Sequence, residues 1–414
     1  EDAVLVVLDS QVTSIDLEAS VPFQVARGSV VTDTDGTRQA TLLFQQGTTA
    51  TMKLPNGMDQ PLSALHVRAT EYTVGTNGPQ TMPAELPPTS AYTYAVELSV
   101  DEAIAAGAKT VQFSQPIPFY VDNFLNFPVG IQVPLAYYDR DKAAWMPTDD
   151  GRVIKILSIT SGVAQLDTTG DGNADNGAAL SITVAERQQI ASLYPAGKTL
   201  SRMTVTHFTP HDPNYGVSPV PGAEQPKQNI TTVNTPPTDT PDYNCGSIID
   251  CQNQILGEVL PVVGTSYSLH YSNDRTLGRI NTATINIPLS GTSVPSVLKK
   301  IVLEISVAGR KITQDFPAST NQNYVFTWDG KDAYGRTIQG QWPAIIRIGY
   351  VYDGFYNLPP DVDQSFGISS GVPVPGDVFA RNGATLWQEQ QYSVGAWDTR
   401  SQGHPITHKV SLTQ

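Results

Sequence analysis

Glycine and proline recur along this chain, and their frequency constrains its fold more than any other feature. The 414 residues include 33 glycines and 31 prolines, while charged residues make up only 15%, against about 25% in ordinary globular proteins. Both residues interrupt helices, because proline lacks a backbone donor and glycine is too flexible. We therefore expect β-sheet and loop rather than helix, in two to four domains at roughly 150 residues per domain.

The first 98 residues contain short β-branched runs in which apolar and polar residues alternate. Asp-Gly or Asn-Gly pairs, which favour tight hairpin turns, separate these runs. The runs are 3–7, 29–32, 40–44 and 64–68, and the turn pairs are 35–36, 56–57 and 77–78. Recurrent short strands with such turns are typical of an antiparallel β-sandwich.

Two segments carry helix signals. Ser99 with Glu102 and Thr183 with Glu186 each form a capping-box pattern, in which the hydroxyl residue caps the first turn. Gly107 ends the first helix and Pro195 limits the second. The predicted fold class is all-β, with several Ig-like antiparallel β-sandwich domains in tandem and two short helices.

Composition predicts the domain boundaries. Residues 217–243 are rich in proline and threonine and poor in bulky apolar side chains, which indicates a linker. The predicted domains are a β-sandwich at 1–98, a β-rich domain with short helices at 99–216, this linker, and an Ig-like β-sandwich at 244–414.

The formal net charge of −14 makes nucleic acid an unfavourable partner, because a surface of that sign repels phosphate backbones. The most apolar long stretch, 116–134, contains Asp122 and four prolines. A membrane helix needs about 20 uninterrupted apolar residues, so we expect no membrane span.

The two cysteines, Cys245 and Cys251, lie six positions apart. This spacing permits a small disulfide loop and lacks the second pair that a zinc site needs. A disulfide is the favoured interpretation, and two reduced thiols are the alternative.

The segment from Asp167 to Asp175 has most of a calcium-binding loop. Oxygen-bearing side chains alternate along it, a glycine occupies the sharp-turn position, and the seventh residue offers its backbone carbonyl. The candidate ligands are Asp167, Thr169, Asp171, Asn173 and Asp175. Because Ala178 replaces the bidentate glutamate of an EF-hand, we expect a weaker, structural Ca²⁺ site; an ordinary Asp/Gly-rich turn is the alternative.

His207, Phe208 and Thr209 form a candidate self-cleavage site. In a strained turn, the threonine hydroxyl can attack the preceding carbonyl with the imidazole as base. The triplet resembles the His-Phe-Ser self-cleavage site in sandwich domains of ankyrin and netrin-receptor relatives. The alternative is a histidine packed in a terminal strand, and the chain has no other catalytic signature.

A second local motif combines Trp328, Asp329, Gly330, Asp332 and Gly335. It resembles the Trp-Asp-Gly-x-Asp-x-x-Gly hairpin of bacterial immunoglobulin-like domains. The resemblance implies a structural turn, in which the tryptophan anchors the strand and the aspartates accept bonds from backbone amides.

A longer resemblance involves four segments: 245–258, 263–275, 349–353 and 395–400. Together they resemble the region that precedes the YD repeats of large bacterial Rhs proteins, which are kin to teneurins. The resemblance implies a secreted or surface-exposed, non-catalytic structural or assembly module. Its partners would be other protein chains or the remainder of a larger Rhs-like polypeptide.

Two other functions remain open from the sequence. An adhesin or carbohydrate-binding module would bind cell-surface glycans on a platform formed by Tyr350, Tyr352, Phe355 and Tyr356. An autoproteolytic processing domain would cleave the bond between Phe208 and Thr209.

Overall fold

The computed structural model describes residues 5–75, 78–232, 257–272, 284–338, 342–376, 378–395 and 412–413. Its contacts divide the chain into two compact units. The larger unit comprises Asp2–Pro221 and Asp353–Ala384, and the smaller comprises Gly222–Tyr352 and Thr385–Gln414.

Strands dominate both units, and the predicted all-β fold with two short α-helices is confirmed. The first sixteen strands are β1 Thr13–Asp16, β2 Phe23–Arg27, β3 Val31–Asp33, β4 Gly36–Arg38, β5 Ala40–Gln45, β6 Ala50–Lys53, β7 Asp59–Leu62, β8 Ala64–Glu71, β9 Val96–Val100, β10 Thr110–Asp122, β11 Gln132–Asp139, β12 Ala144–Thr160, β13 Val163–Asp167, β14 Thr199–Phe208, β15 Pro210–Asp212 and β16 Val217–Pro219. The others are β17 Thr231–Thr232, β18 Gly257–Pro261, β19 Ser268–Ser272, β20 Thr284–Pro288, β21 Lys300–Val307, β22 Arg310–Pro317, β23 Asn323–Thr327, β24 Trp342–Tyr352, β25 Gly354–Tyr356, β26 Ala384–Val394 and β27 Leu412–Thr413. The helices are α1 Asp101–Ala105 and α2 Val184–Leu193.

The larger unit is built on one nearly closed, barrel-like sheet. Its strands follow the order β1-β8-β9-β15-β11-β12-β14-β10-β5-β2, with every neighbouring pair antiparallel. Side chains join the two edge strands: the Gln24 amide bonds the backbone of Asp16 in both directions, at 2.5 and 2.9 Å. The boundary predicted at residue 98 lies inside β9, and strands on both sides of it belong to this sheet.

Both faces of this sheet are buried along β5 and the second half of β10. Leu42 and Phe119 face the main core, whereas their neighbours Leu43 and Tyr120 face a second core. Helix α2 contributes Ile190 to that second core. A strand buried on both faces shows a continuous apolar run, which explains the run at 40–44.

The two helices differ in how they begin. Thr183 caps α2 as predicted, accepting a bond from the Glu186 amide at 3.1 Å. The predicted cap Ser99 is wrong, because this residue lies in β9 and pairs with Arg68 of β8. Helix α1 therefore has only five residues and no side-chain cap.

Two further expectations differ from the structure. The strand predicted at 3–7 is absent over its described residues 5–7, where Leu5 and Val7 are almost fully exposed. Within the predicted linker, residues 217–219 form β16 and 231–232 form β17, whereas 233–243 lie outside the described residues.

The smaller unit contains a four-stranded sheet, β22-β21-β24-β26, and two three-stranded sheets, β17-β20-β23 and β18-β19-β27. Every second residue of β21 is buried, so this strand has one core face. Tyr350 of β24 is also buried, and its hydroxyl donates to the Leu289 carbonyl at 3.0 Å.

Candidate functional site

Backbone pairing, ion pairs and a buried tyrosine hold the late segment of the larger unit, Asp353–Ala384, which we call the strap. After β24, the chain enters this unit through β25, which pairs with β16. It leaves again in β26, which starts at Ala384. The surface of the barrel that receives the strap is the candidate functional site.

The last part of the strap is anchored by Arg381. Its guanidinium lies 2.6 Å from a carboxylate oxygen of Asp35 and 2.9 Å from one of Asp33, both in the β3–β4 hairpin region. It also donates to the Thr93 carbonyl at 3.0 Å. These charge-assisted bonds fix the strap at one point.

The barrel supports this anchor with a second arginine. Arg38 is fully buried and donates to Glu71 at 2.6 Å and to the same Asp33 oxygen at 2.8 Å. The hydrogen bond that Arg38 donates is the main reason why the pKa of Asp33 is lowered from 3.8 to about 2. This stabilisation is therefore complete above a pH of about 4 and is lost as pH falls through about 2.

The middle of the strap enters the hydrophobic core. Tyr356 is fully buried and belongs to the main core of the barrel. Its ring meets Phe127 edge to face at a centroid distance of 5.1 Å, and its hydroxyl donates to the Tyr92 carbonyl at 3.3 Å. Apolar burial of this kind is the largest favourable contribution to seating a segment.

A third anchor joins the strap to β12. Asp150 accepts bonds from both the amide and the hydroxyl of Ser365, and the Asp150 amide donates to the Asp363 carbonyl at 2.8 Å. Burial raises the pKa of Asp150 to about 6, although the bonds from Ser365 oppose the shift. The site thus combines backbone pairing, an apolar anchor and ion pairs, which suits it to holding a polypeptide segment.

The predicted calcium loop is a turn held by its own carboxylates. Asp167 accepts bonds from the amides of Gly170 and Gly172, at 2.7 and 3.0 Å. Asp175 accepts from the amide and hydroxyl of Thr168. Within the described ranges, no three His, Cys, Asp or Glu side chains form a group that could hold a metal ion. Calcium binding through Asp167, Thr169, Asp171, Asn173 and Asp175 stays a prediction.

Chelation of calcium tests that prediction. If Ca²⁺ binds this loop, a chelator should lower the melting temperature of the wild type and leave that of Asp171→Ala unchanged, because the variant lacks an exposed candidate ligand. Calorimetry with and without chelator measures both. An identical wild-type melt in both conditions would leave an ordinary turn.

The three residues of the candidate self-cleavage site contact different neighbours. Phe208 is buried against Phe44 and Phe113, and the buried Thr209 hydroxyl lies 3.4 Å from the Pro210 carbonyl. The His207 ring packs against Tyr137. Cleavage at this bond stays a prediction.

Residues after Thr209 form a fully buried polar segment that sequence reasoning missed. His211, Asp212 and Asn214 are all inside the larger unit. His211 lies 2.8 Å from the Thr209 carbonyl, while neither carboxylate oxygen of Asp212 has a hydrogen-bond partner among the described residues. The sequence gave no signal that this segment is buried, because Asp212-Pro213 lies in a polar stretch that is typical of an exposed turn.

The tryptophan-containing hairpin of the smaller unit is compact. Trp328 is buried and donates to the Lys331 carbonyl at 3.0 Å. Asp329 accepts from the amide of the same Lys331, and Asp332 accepts from the amide of Arg336. The φ angles of Gly330 and Gly335 are 74° and 75°, values that favour glycine.

Two other sets of sequence candidates have clear positions. Tyr350, Tyr352 and Tyr356 are buried, so these three rings offer no open platform for stacking sugars. The half-buried ring of Phe355 packs on Phe379. Cys245 and Cys251 lie outside the described residues, and their pairing stays a prediction. Of the residues that the structure describes, none lies in a helix long and apolar enough to cross a membrane.

Comparison with known proteins gives one family match. Residues 284–359 match the family model "Teneurin 1-4, FN-plug domain". The curated relatives include Teneurin-3 of Mus musculus, 33% identical over 107 residues, and Teneurin-1 of Gallus gallus, 33% identical over 100 residues. Teneurin-1 of Caenorhabditis elegans is 31% identical over 116 residues.

These matches are partial. They cover 26%, 24% and 28% of this chain, respectively, and 4% of the length of each relative. The chain therefore contains a teneurin-like region, and this region includes the hairpin of Trp328 and the first residues of the strap.

Proposed function

We propose that this chain is a structural and assembly module of a larger, Rhs-like bacterial polypeptide, secreted or exposed at the cell surface, and that it is not an enzyme. One observation carries the proposal: the teneurin-like region ends at residue 359, within a strap that is built into the barrel. A family region whose last residues are built into a barrel that the family model does not cover is suited to joining modules.

The contacts of the strap support an assembly role. Its ion pairs and hydrogen bonds engage the side chains of Arg381, Tyr356 and Ser365, and its backbone pairs with β16. A segment held at several points resists local opening, which is useful in a module that carries load between parts of a long chain. The partners are then the remainder of the polypeptide or separate chains of the same assembly.

The mass of the protein in its natural source tests this function. An antibody raised against the β21–β22 hairpin should detect, under denaturing conditions, a species far above 44.6 kDa in the extracellular or surface-accessible fraction. Reduced and unreduced samples of that species also report on the cysteine pair. A species of 44.6 kDa confined to the cell interior and free of partner chains would contradict the proposal.

A further inference from the structure

The bond between Asp212 and Pro213 is the only Asp-Pro bond in the chain. Asp212 ends β15, which lies between β9 and β11 in the barrel sheet. Its side chain is 0% exposed, and both of its carboxylate oxygens lack a hydrogen-bond partner among the described residues. A buried polar group without a partner is costly and calls for an explanation.

The environment of Asp212 favours the neutral acid. Burial alone raises its pKa well above the ordinary value, because an unpaired carboxylate is strongly disfavoured away from water. A charge on Asp212 would also act on the half-buried Tyr92, where burial first and this charge second raise the pKa of the hydroxyl to about 12. The neighbouring His211 is kept neutral by burial, which lowers its pKa to about 3.

We propose that Asp212 cleaves its own peptide bond to Pro213. The protonated side-chain carboxyl attacks the main-chain carbonyl carbon of Asp212, which forms a carbon–oxygen bond and a five-membered anhydride. The carbon–nitrogen bond to Pro213 breaks, and the carboxyl proton passes to the prolyl nitrogen. Water then opens the anhydride, so that Asp212 becomes a new C-terminus and Pro213 a new N-terminus.

The residues on both sides of the bond hold it in place. Asn214 accepts bonds from the amides of Thr93 and Tyr94, at 2.6 and 3.0 Å. Because no hydrogen bond from the described part of the chain restrains the Asp212 carboxyl, it can turn onto its own carbonyl. Proline suits the leaving position, since its nitrogen carries no hydrogen and departs as a basic secondary amine. The attacking carboxyl and the carbonyl belong to one residue, so their approach carries little of the entropy cost of a bimolecular reaction.

The two products would stay together in the folded protein. Strand β15 pairs with β9 and β11 on the N-terminal side of the bond. On the other side, the Tyr215 carbonyl accepts from the Ala91 amide at 3.0 Å, and its ring stacks on Phe127. Cleavage should therefore be visible only after denaturation, as two fragments, 1–212 and 213–414.

Mass spectrometry of the purified full chain tests the proposal. One sample is incubated folded at neutral pH and another in urea at the same pH, and both are denatured before measurement. We expect the two fragments, with Pro213 at a new N-terminus, from the folded sample. In urea their rate of formation should fall at least about 100-fold, because the carboxyl becomes ionised and no longer carries the proton that the departing prolyl nitrogen needs.

Two variants complete the test. Asp212→Asn should abolish the fragments, and Pro213→Ala should slow them while the carboxyl stays in place. A folded wild type that remains a single intact chain throughout the incubation overturns the proposal. So does the appearance of the same fragments from Asp212→Asn, which would indicate a contaminating protease.

Discussion

Replacing Arg38 by methionine is expected to lower the free energy of unfolding of the larger unit by about 3–5 kcal/mol. Arg38 is fully buried, and its partner Glu71 is nearly so. Methionine fills much of the same volume and leaves the carboxylate buried without a cation, which is the costly state. Hydrogen exchange of the β5 and β10 amides measures the effect, because these strands lie in the core of the barrel.

An exposed ion pair gives the matched control. Arg310 pairs with Asp329 at 2.7 Å in the smaller unit, with both side chains at least 36% exposed. Arg310→Met should cost no more than about 1 kcal/mol. The double variant Arg38→Met/Glu71→Leu should regain part of the loss, because it removes the unpaired carboxylate. If Arg38→Met costs as little as Arg310→Met, the buried pair does not support the seat of the strap.

The strands could be predicted from the sequence because their signals are local. Runs such as 40–44 and the hairpin at Asn56-Gly57 carry their pattern within a few residues. The closure of one sheet across the boundary predicted at residue 98 could not be predicted, since it depends on pairing between β5 and β10. Strands that are distant in sequence and buried on both faces give a continuous apolar run that does not identify their neighbours.

The strap shows a different limit of sequence reasoning. Arg381 and Asp33 are separated by 348 residues, and neither stands in a motif. The sequence resemblance identified the region that leads into the strap, but it gave no indication that Tyr356 enters another core. The three tyrosines of the predicted sugar-binding platform are buried, and the sequence could not show this. Alternating aromatic residues predict a strand but do not show what covers each of its faces.

The Asp167 loop illustrates how one pattern supports two interpretations. Alternating aspartates and glycines are what a calcium loop needs, and they are also what a tight turn needs to satisfy its own amides. Thr168 and Asp167 are buried, so the start of the loop is packed onto the fold, whereas residues 169–175 are exposed. Its attachment depends on a close backbone crossing that the sequence could not indicate.

That crossing makes Gly130→Ala the substitution with the largest expected cost. A Cβ atom at Gly130 would lie 2.2 Å from the Thr169 carbonyl oxygen, and one at Gly170 would lie 2.2 Å from the Val129 carbonyl oxygen. Both contacts are to backbone, which cannot rotate away as a side chain can. We expect Gly130→Ala to lower the free energy of unfolding by more than about 4 kcal/mol, measured by thermal and urea denaturation.

The φ angle of Gly130, 90°, is also one that alanine resists, so the two causes must be separated. Gly162 has a φ of 76° and open space where its Cβ would be. Gly162→Ala should therefore cost only about 1–2 kcal/mol, which is the penalty of the left-handed conformation alone. The excess loss in Gly130→Ala then measures the crossing. Equal losses in the two variants would mean that the segments at 129–130 and 169–170 separate easily, and that the Asp167 loop is not fixed to the barrel by this contact.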